Sequence, residues 1–291
     1  MNWSMHLKEL VTPNGAGRYD EVVMSETPQP AIRCVHCLLE TDATTKDHVF
    51  PSSWYPDSTP ETVQRWTVPS CTDCNKFLGK LETDLLVRLA LCLDPASAAA
   101  AGISSKALRS LGLDVDDLAP KEKEHRDKRR AKIKAELFPR AEGSETPGAI
   151  PGLSRPVGEG KQFALPIPWA ALSIIAEKIA RGCEFKVKDR YIDSPYAIRT
   201  FIADPEEVSP QFLSHRRLID FGPGCQVLRV FCAEDHNIVR YRILVWGTLC
   251  FHVLIDTEEY FLELDPQLKR AEGILPNEGK MSVPPYLREM K

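Results

Sequence analysis

Apolar residues recur along this chain with two different spacings. From Leu81 they fall at helical intervals, at Leu85, Leu86, Leu89 and Leu93 with polar residues between, and the pattern stops before Pro95. A second helical stretch runs from Pro168 to Arg181. It carries Leu172, Ile175, Ala176 and Ile179 on one side and Glu177, Lys178 and Arg181 on the other. Beyond it the period shortens. The runs Tyr196–Ile202, Cys225–Cys232, Ile238–Trp246 and Thr248–Ile255 are rich in Val, Ile, Phe and Tyr and are separated by Gly or Asp-His-Asn turn signals. They predict a small antiparallel sheet with a packed helix.

Between these regions the composition shifts. Residues 1–30 are rich in turn formers and predict an irregular lead-in. Residues 96–120 are alanine-rich and then turn-rich. The stretch from Lys121 to Lys134 holds eight Lys/Arg against three Asp/Glu, in good helix formers, and predicts an exposed helix. Residues 139–161 contain many Pro, Gly and Ser and predict a linker. The chain therefore divides into three segments, 1–95, 96–160 and 161–291, in an α+β architecture.

At 291 residues the chain can bury a sizeable core. Its formal charge of −4 excludes a polycation, so any nucleic-acid contact must use positive charge gathered locally, as it is between Lys121 and Lys134. There is no secretory signal at the start and no apolar run long enough to span a bilayer, so the expected location is cytoplasmic, where thiols stay reduced.

That bears on the nine cysteines. Cys92, Cys183, Cys225, Cys232 and Cys250 are scattered in apolar surroundings and are expected to pack as small hydrophobes. The other four form two pairs, Cys34-Val35-His36-Cys37 and Cys71-Thr72-Asp73-Cys74. Two intervening residues let both thiolates of a pair turn toward one point, and two pairs complete a tetrahedron around Zn²⁺. With four protein ligands this zinc would be structural. His36 lies inside the first pair and is expected beside the site or at the surface.

Between the pairs lies Thr45-Lys46-Asp47-His48-Val49-Phe50-Pro51, and after Cys74 comes Asn75-Lys76-Phe77-Leu78-Gly79-Lys80-Leu81-Glu82. From Arg33 to Glu82 the chain resembles the HNH endonuclease superfamily. The closest likeness is to zinc-bearing members that combine C-x-x-C, D-H-x-x-P and C-x-x-C-N-x-x-L-G-x-x-E. The resemblance implies a ββα-metal domain in which a hairpin and a helix clamp a divalent ion, Mg²⁺ or Mn²⁺, separate from the zinc. It implies that Asp47 and Asn75 are ligands of that ion and that His48 is the general base. It further implies phosphodiester hydrolysis, most often in DNA.

Neighbouring residues on a strand point to opposite faces, so Asp47 and His48 can serve different roles. Lys76 and Lys80, with Arg129 and Arg130 of the basic helix, are candidate phosphate contacts, and solvated helix positions are the alternative. The chain departs from the family pattern before Cys71, where the central Asn that orients the histidine is missing. Gln64, Thr67 or a backbone carbonyl is left to take its place. That departure keeps open a second expectation, a non-catalytic zinc module recruiting nucleic acid or a protein partner. Residues 161–291 carry no recognisable motif and are left to substrate binding, ligand sensing or assembly, as a homo-oligomer or with a partner protein.

Overall fold

A computed structural model describes residues 32–41, 44–113, 119–140, 150–151, 153, 162–206, 216–232 and 234–260. Helices and strands are mixed. In chain order they are β1 (Ile32–Arg33), β2 (Glu40–Thr41), β3 (Thr44–His48), β4 (Thr67–Cys71), α1 (Thr72–Cys92), α2 (Ile103–Ser110), α3 (Pro120–Ala135), β5 (Phe138–Arg140), β6 (Gln162–Ala164), α4 (Trp169–Lys188), β7 (Tyr196–Ala203), β8 (Arg216–Asp220), β9 (Gln226–Phe231), β10 (Val239–Val245) and β11 (Leu249–Thr257).

The four predicted apolar runs form β7, β9, β10 and β11 of an antiparallel sheet in the order β7-β11-β10-β9-β8. The fifth strand, β8, escapes the sequence pattern because it lies at an edge, where Arg216, Arg217 and Leu218 are exposed. β10 and β11 join through a tight turn, with Thr248 N–H bonded to the Val245 carbonyl and both Trp246 and Gly247 at positive φ (52° and 70°). A tryptophan is strained there, and its fully buried ring holds it.

At the other end, β3 and β4 pair antiparallel with Asp47 opposite Val68 and His48 opposite Thr67. The chain then runs directly into α1, which starts nine residues before the apolar pattern begins at Leu81. The expected linker falls mostly outside the described residues, and its described ends, β5 and β6, pair with each other. The irregular lead-in, residues 1–30, lies wholly outside them.

α4 is the element that joins these parts. It packs against α1 and β4 on one side and against β7 and β11 on the other. Leu172, Ile175, Ala176, Ile179, Ala180 and Cys183 share one core cluster with Val49, Phe50 and Trp54 of the motif region and Val245, Trp246 and Phe251 of the sheet. The expected segments 1–95 and 161–291 thus meet in a common core. The expectation of an exposed polar side on α4 is corrected. Glu177 and Lys178 are buried and Arg181 is half-buried, because this part of the helix lies between α1 and the large sheet.

Each buried charge on α4 has its own partners. Glu184 is fully buried and pairs with Arg229 of β9 at 2.7 Å, while Tyr241 of β10 donates its hydroxyl to the same oxygen at 2.5 Å. Lys178 lies six residues earlier, about 120° around the helix, and faces the hairpin. Gly182, one turn after Lys178, permits the close approach. A Cβ there would sit 2.8 Å from both methyl carbons of Val49.

Aromatic rings tie the loop after β3 to the sheet. Phe50 stacks on Phe221 at 5.3 Å, and Trp54 lies 5.3 Å from Trp246. Trp54 donates its indole N–H to the Glu82 carbonyl, and Trp246 donates to the Trp54 carbonyl. Among the described residues no helix is long and apolar enough to cross a membrane. Cys183, Cys225 and Cys250 are buried as expected, whereas Cys92 and Cys232 are only half-buried.

The buried Glu177 supplies a test of this packing. Burial pushes its carboxyl up to about 7, against the pull of Arg181, Ser173 and Arg199. The folded state therefore holds the proton more tightly than the unfolded chain, and stability is lost as pH rises from about 4.5 through about 7. Glu177→Gln should be more stable than wild type at pH 8 by on the order of 3 kcal/mol. The difference should close toward pH 4 in denaturant titrations, and a pH-independent difference would contradict the burial.

Candidate metal centre and the buried carboxylate beside it

The first cysteine pair sits on a tight turn after β1. Leu38 N–H returns to the Cys34 carbonyl at 2.9 Å, Leu38 adopts a positive φ of 66°, and Val35 N–H bonds to the Pro69 carbonyl of β4 at 3.0 Å. The second pair occupies the junction of β4 and α1. Cys71 caps the helix, its sulfur accepting the Cys74 N–H at 3.4 Å. These two turns bring the ligand atoms of Cys34, Cys37, Cys71 and Cys74 within 4.8 Å of one another. Among the described residues, no other group of three or more His, Cys, Asp or Glu side chains lies close enough to share an ion.

The donor set fits a metal such as zinc. A Zn–S bond of about 2.3 Å places tetrahedral sulfurs about 3.8 Å apart, and Cys37 and Cys71 have their sulfurs 3.8 Å apart. Four packed thiols cannot all ionise unaided. The Cys34 thiol is pulled down to about 3 by the hydrogen bond from Cys74, while burial pushes Cys37 up to about 11. The Cys74 thiol is raised by the hydrogen bond it gives to Cys34. A divalent cation at the centre would remove this conflict by binding the thiolates and releasing the protons.

His36 does not join the four sulfurs. It is buried and turns its Nε2 to the Asp47 carboxylate, 2.8 Å from Oδ2. The other oxygen, Oδ1, accepts from the Lys178 ammonium at 3.0 Å, and Lys178 also bonds to Glu82 of α1. Asp47 is 6 % exposed and Lys178 2 %. Burial alone would raise the Asp47 carboxyl, but His36 and Lys178 outweigh it and hold the group below its usual range. Glu82 goes the other way. Its burial dominates, and its carboxyl lies above the usual value despite Lys178. Removing one partner from a buried charge cluster of this kind typically costs about 3–5 kcal/mol.

His48 points to the opposite side of β3 and is partly exposed. Its ring is held below the ordinary histidine value, chiefly by desolvation and further by Lys178 and Arg65, against the pull of Asp47. Its Nδ1 has no hydrogen-bond partner among the described residues. Neither substitute for the missing Asn reaches it. Gln64 accepts instead from the Trp66 indole at 2.9 Å, and Thr67 is only the cross-strand neighbour of His48.

Asn75 lies in the first turn of α1 and donates its amide to Thr45 Oγ1 at 2.8 Å. Thr45 in turn donates to the Ser70 carbonyl, so Asn75 stitches the helix to the hairpin. Thr45 and Asp47 share a face of β3, two residues and therefore about 7 Å apart. Lys76 and Lys80 are exposed on α1. Arg129 and Arg130 are engaged within the chain. They donate to the Ser110 and Leu111 carbonyls at the end of α2, which helix ends leave otherwise unsatisfied, and Arg130 also pairs with Asp127.

The residues that sequence reasoning missed are His36 and Lys178 as partners of Asp47, and Glu82 as the second partner of Lys178. Glu82 carried a signal in the motif tail. Lys178, 131 residues away along the chain, carried none.

Cys71→Ser should reduce bound zinc from one ion per chain to a small fraction, measured by elemental analysis. Its melting midpoint should fall by on the order of 10 °C, since each kcal/mol moves a domain of this size by about 2–4 °C. Full zinc retention would refute the four-thiol assignment. No protein-family model matches the sequence, and neither does any curated protein or solved structure.

Proposed function

We propose that this chain is an HNH-type endonuclease, a phosphodiester hydrolase with His48 as general base and nucleic acid as substrate, DNA being favoured. One observation carries the reading. The two cysteine turns pin the β3–β4 hairpin to α1, so that Asp47 and His48 on the strand and Asn75 in the first helical turn belong to one small rigid unit. That is the arrangement the sequence resemblance implies.

His48 is suited to its role. A ring held below the usual histidine value is neutral at physiological pH and can take a proton from an attacking water. Its partly exposed position gives substrate access that the buried Asp47 lacks. The exposed Lys76 and Lys80 lie on the same helix as Asn75, where they would meet phosphate. Zinc in this reading holds the hairpin and takes no part in the reaction.

The catalytic Mg²⁺ or Mn²⁺ of the family, held by Asp47 and Asn75, fits these residues poorly. Both oxygens of Asp47 are already engaged, one of them by an ammonium. No step is therefore assigned to such an ion. The same observation favours a second reading, in which the zinc unit is a non-catalytic module recruiting nucleic acid or a protein partner.

Nicking of supercoiled plasmid by zinc-loaded protein separates the two, with Mg²⁺, with Mn²⁺ and with no added ion. His48→Ala should lower the rate by about 10²–10⁴-fold, the usual worth of a general base. Equal rates for both proteins would remove His48 from the mechanism. No cleavage of DNA or RNA under any condition would leave the recruiting module.

A further inference from the structure

We propose that the Lys178 ammonium is the resident cation of this site, so that Asp47 neutralises a charge supplied by the chain itself and binds no exchangeable divalent ion. The inference deepens the hydrolase reading and rests on it only in giving Asp47 an electrostatic role.

Position is the first ground. Lys178 Nζ lies 3.0 Å from Asp47 Oδ1 and bonds to Glu82 as well, so it bridges a carboxylate of β3 and one of α1. A metal ion joining hairpin to helix would occupy the same kind of place. The opposite oxygen of Asp47 is taken by His36, a residue of the first cysteine turn, which fixes the carboxylate's orientation.

Immobility is the second. A surface lysine yields to a divalent ion by swinging into water. Lys178 has 1 % of its side chain exposed and stems from the middle of a helix whose neighbours Ile175, Ile179 and Ala180 are fully buried. The backbone has no room to withdraw either, since β7 and β11 pack against the same helix. To admit an ion on Asp47, the ammonium would have to give up one of its two buried carboxylates and keep only Glu82, and breaking a buried ion pair is costly.

Charge balance is the third. Asp47 already meets His36 on one oxygen and the Lys178 ammonium on the other, at 2.8 Å and 3.0 Å. A second cation on the same carboxylate would meet the fixed ammonium at contact range.

Binding of Mn²⁺ alone tests this, followed by electron paramagnetic resonance on zinc-loaded wild type and Asp47→Asn, with zinc content and melting checked for both. Wild type and Asp47→Asn should bind Mn²⁺ alike up to millimolar concentration. Anomalous scattering from wild-type crystals soaked in Mn²⁺ should place no ion on Asp47. In Lys178→Gln, Mn²⁺ should bind at least tenfold more tightly than in wild type, because the two carboxylates then lack a cation.

A wild-type Mn²⁺ ion bonded to Asp47 would overturn the proposal. So would a folded Lys178→Gln that binds no more Mn²⁺ than wild type. Should Lys178→Gln fail to fold, the wild-type measurements decide alone. The two readings fail separately. Absence of His48-dependent nicking removes the hydrolase and leaves the cation assignment standing, whereas a Mn²⁺ ion on Asp47 together with nicking does the reverse.

Discussion

A positive charge sealed inside a protein must be met by negative charge, and this requirement organises the molecule around Lys178. Asp47 comes from the hairpin and Glu82 from α1, while α4 delivers the ammonium from more than ninety residues further along. Each carboxylate is buried only because the ammonium is there, and the ammonium only because they are. Two consecutive elements and a third far along the chain are thereby fixed to one point, and the thiol cluster fixes the first two a second time. The hairpin and α1 could be held by zinc alone. The lysine, together with the shared apolar core, makes α4 and the sheet behind it part of the same construction.

What could be read from the sequence follows from how local each signal is. The two cysteine turns are short-range patterns, and their convergence needs only the known reach of two intervening residues. Four of the five strands of the large sheet announce themselves because each is rich in Val, Ile, Leu, Phe or Tyr, while β8, with its exposed Arg216 and Arg217, does not. The polar face predicted for α4 is the instructive failure. Glu177, Lys178 and Arg181 follow the spacing of a solvent-facing stripe, and nothing within the helix distinguishes a charge that meets water from one that meets a distant counter-charge. The basic stretch of α3 carries the same ambiguity. Its net charge suggests a phosphate surface, yet Arg129 and Arg130 are committed to the carbonyl end of α2.

The candidate site divides accordingly. His48 lies on β3 and Asn75 near the start of α1. Asp47 stands on its strand too, but its surroundings come from elsewhere in the chain. A motif specifies the backbone that carries a side chain. The field that side chain experiences is set by whatever packs over it, and here that is a helix in a region with no recognisable motif of its own. The hydrolase reading thus rests on His48 and the frame that holds it.

Gly182 gives this design a further meaning. Its missing side chain is what lets α4 lie flush on Val49, directly after the histidine. The helix is seated at van der Waals distance on the residue that follows the strand bearing Asp47 and His48. A hairpin of this kind cannot be exchanged between proteins as a self-contained cassette. It would arrive elsewhere with Val49, Phe50 and Trp54 uncovered and an unbalanced carboxylate among them.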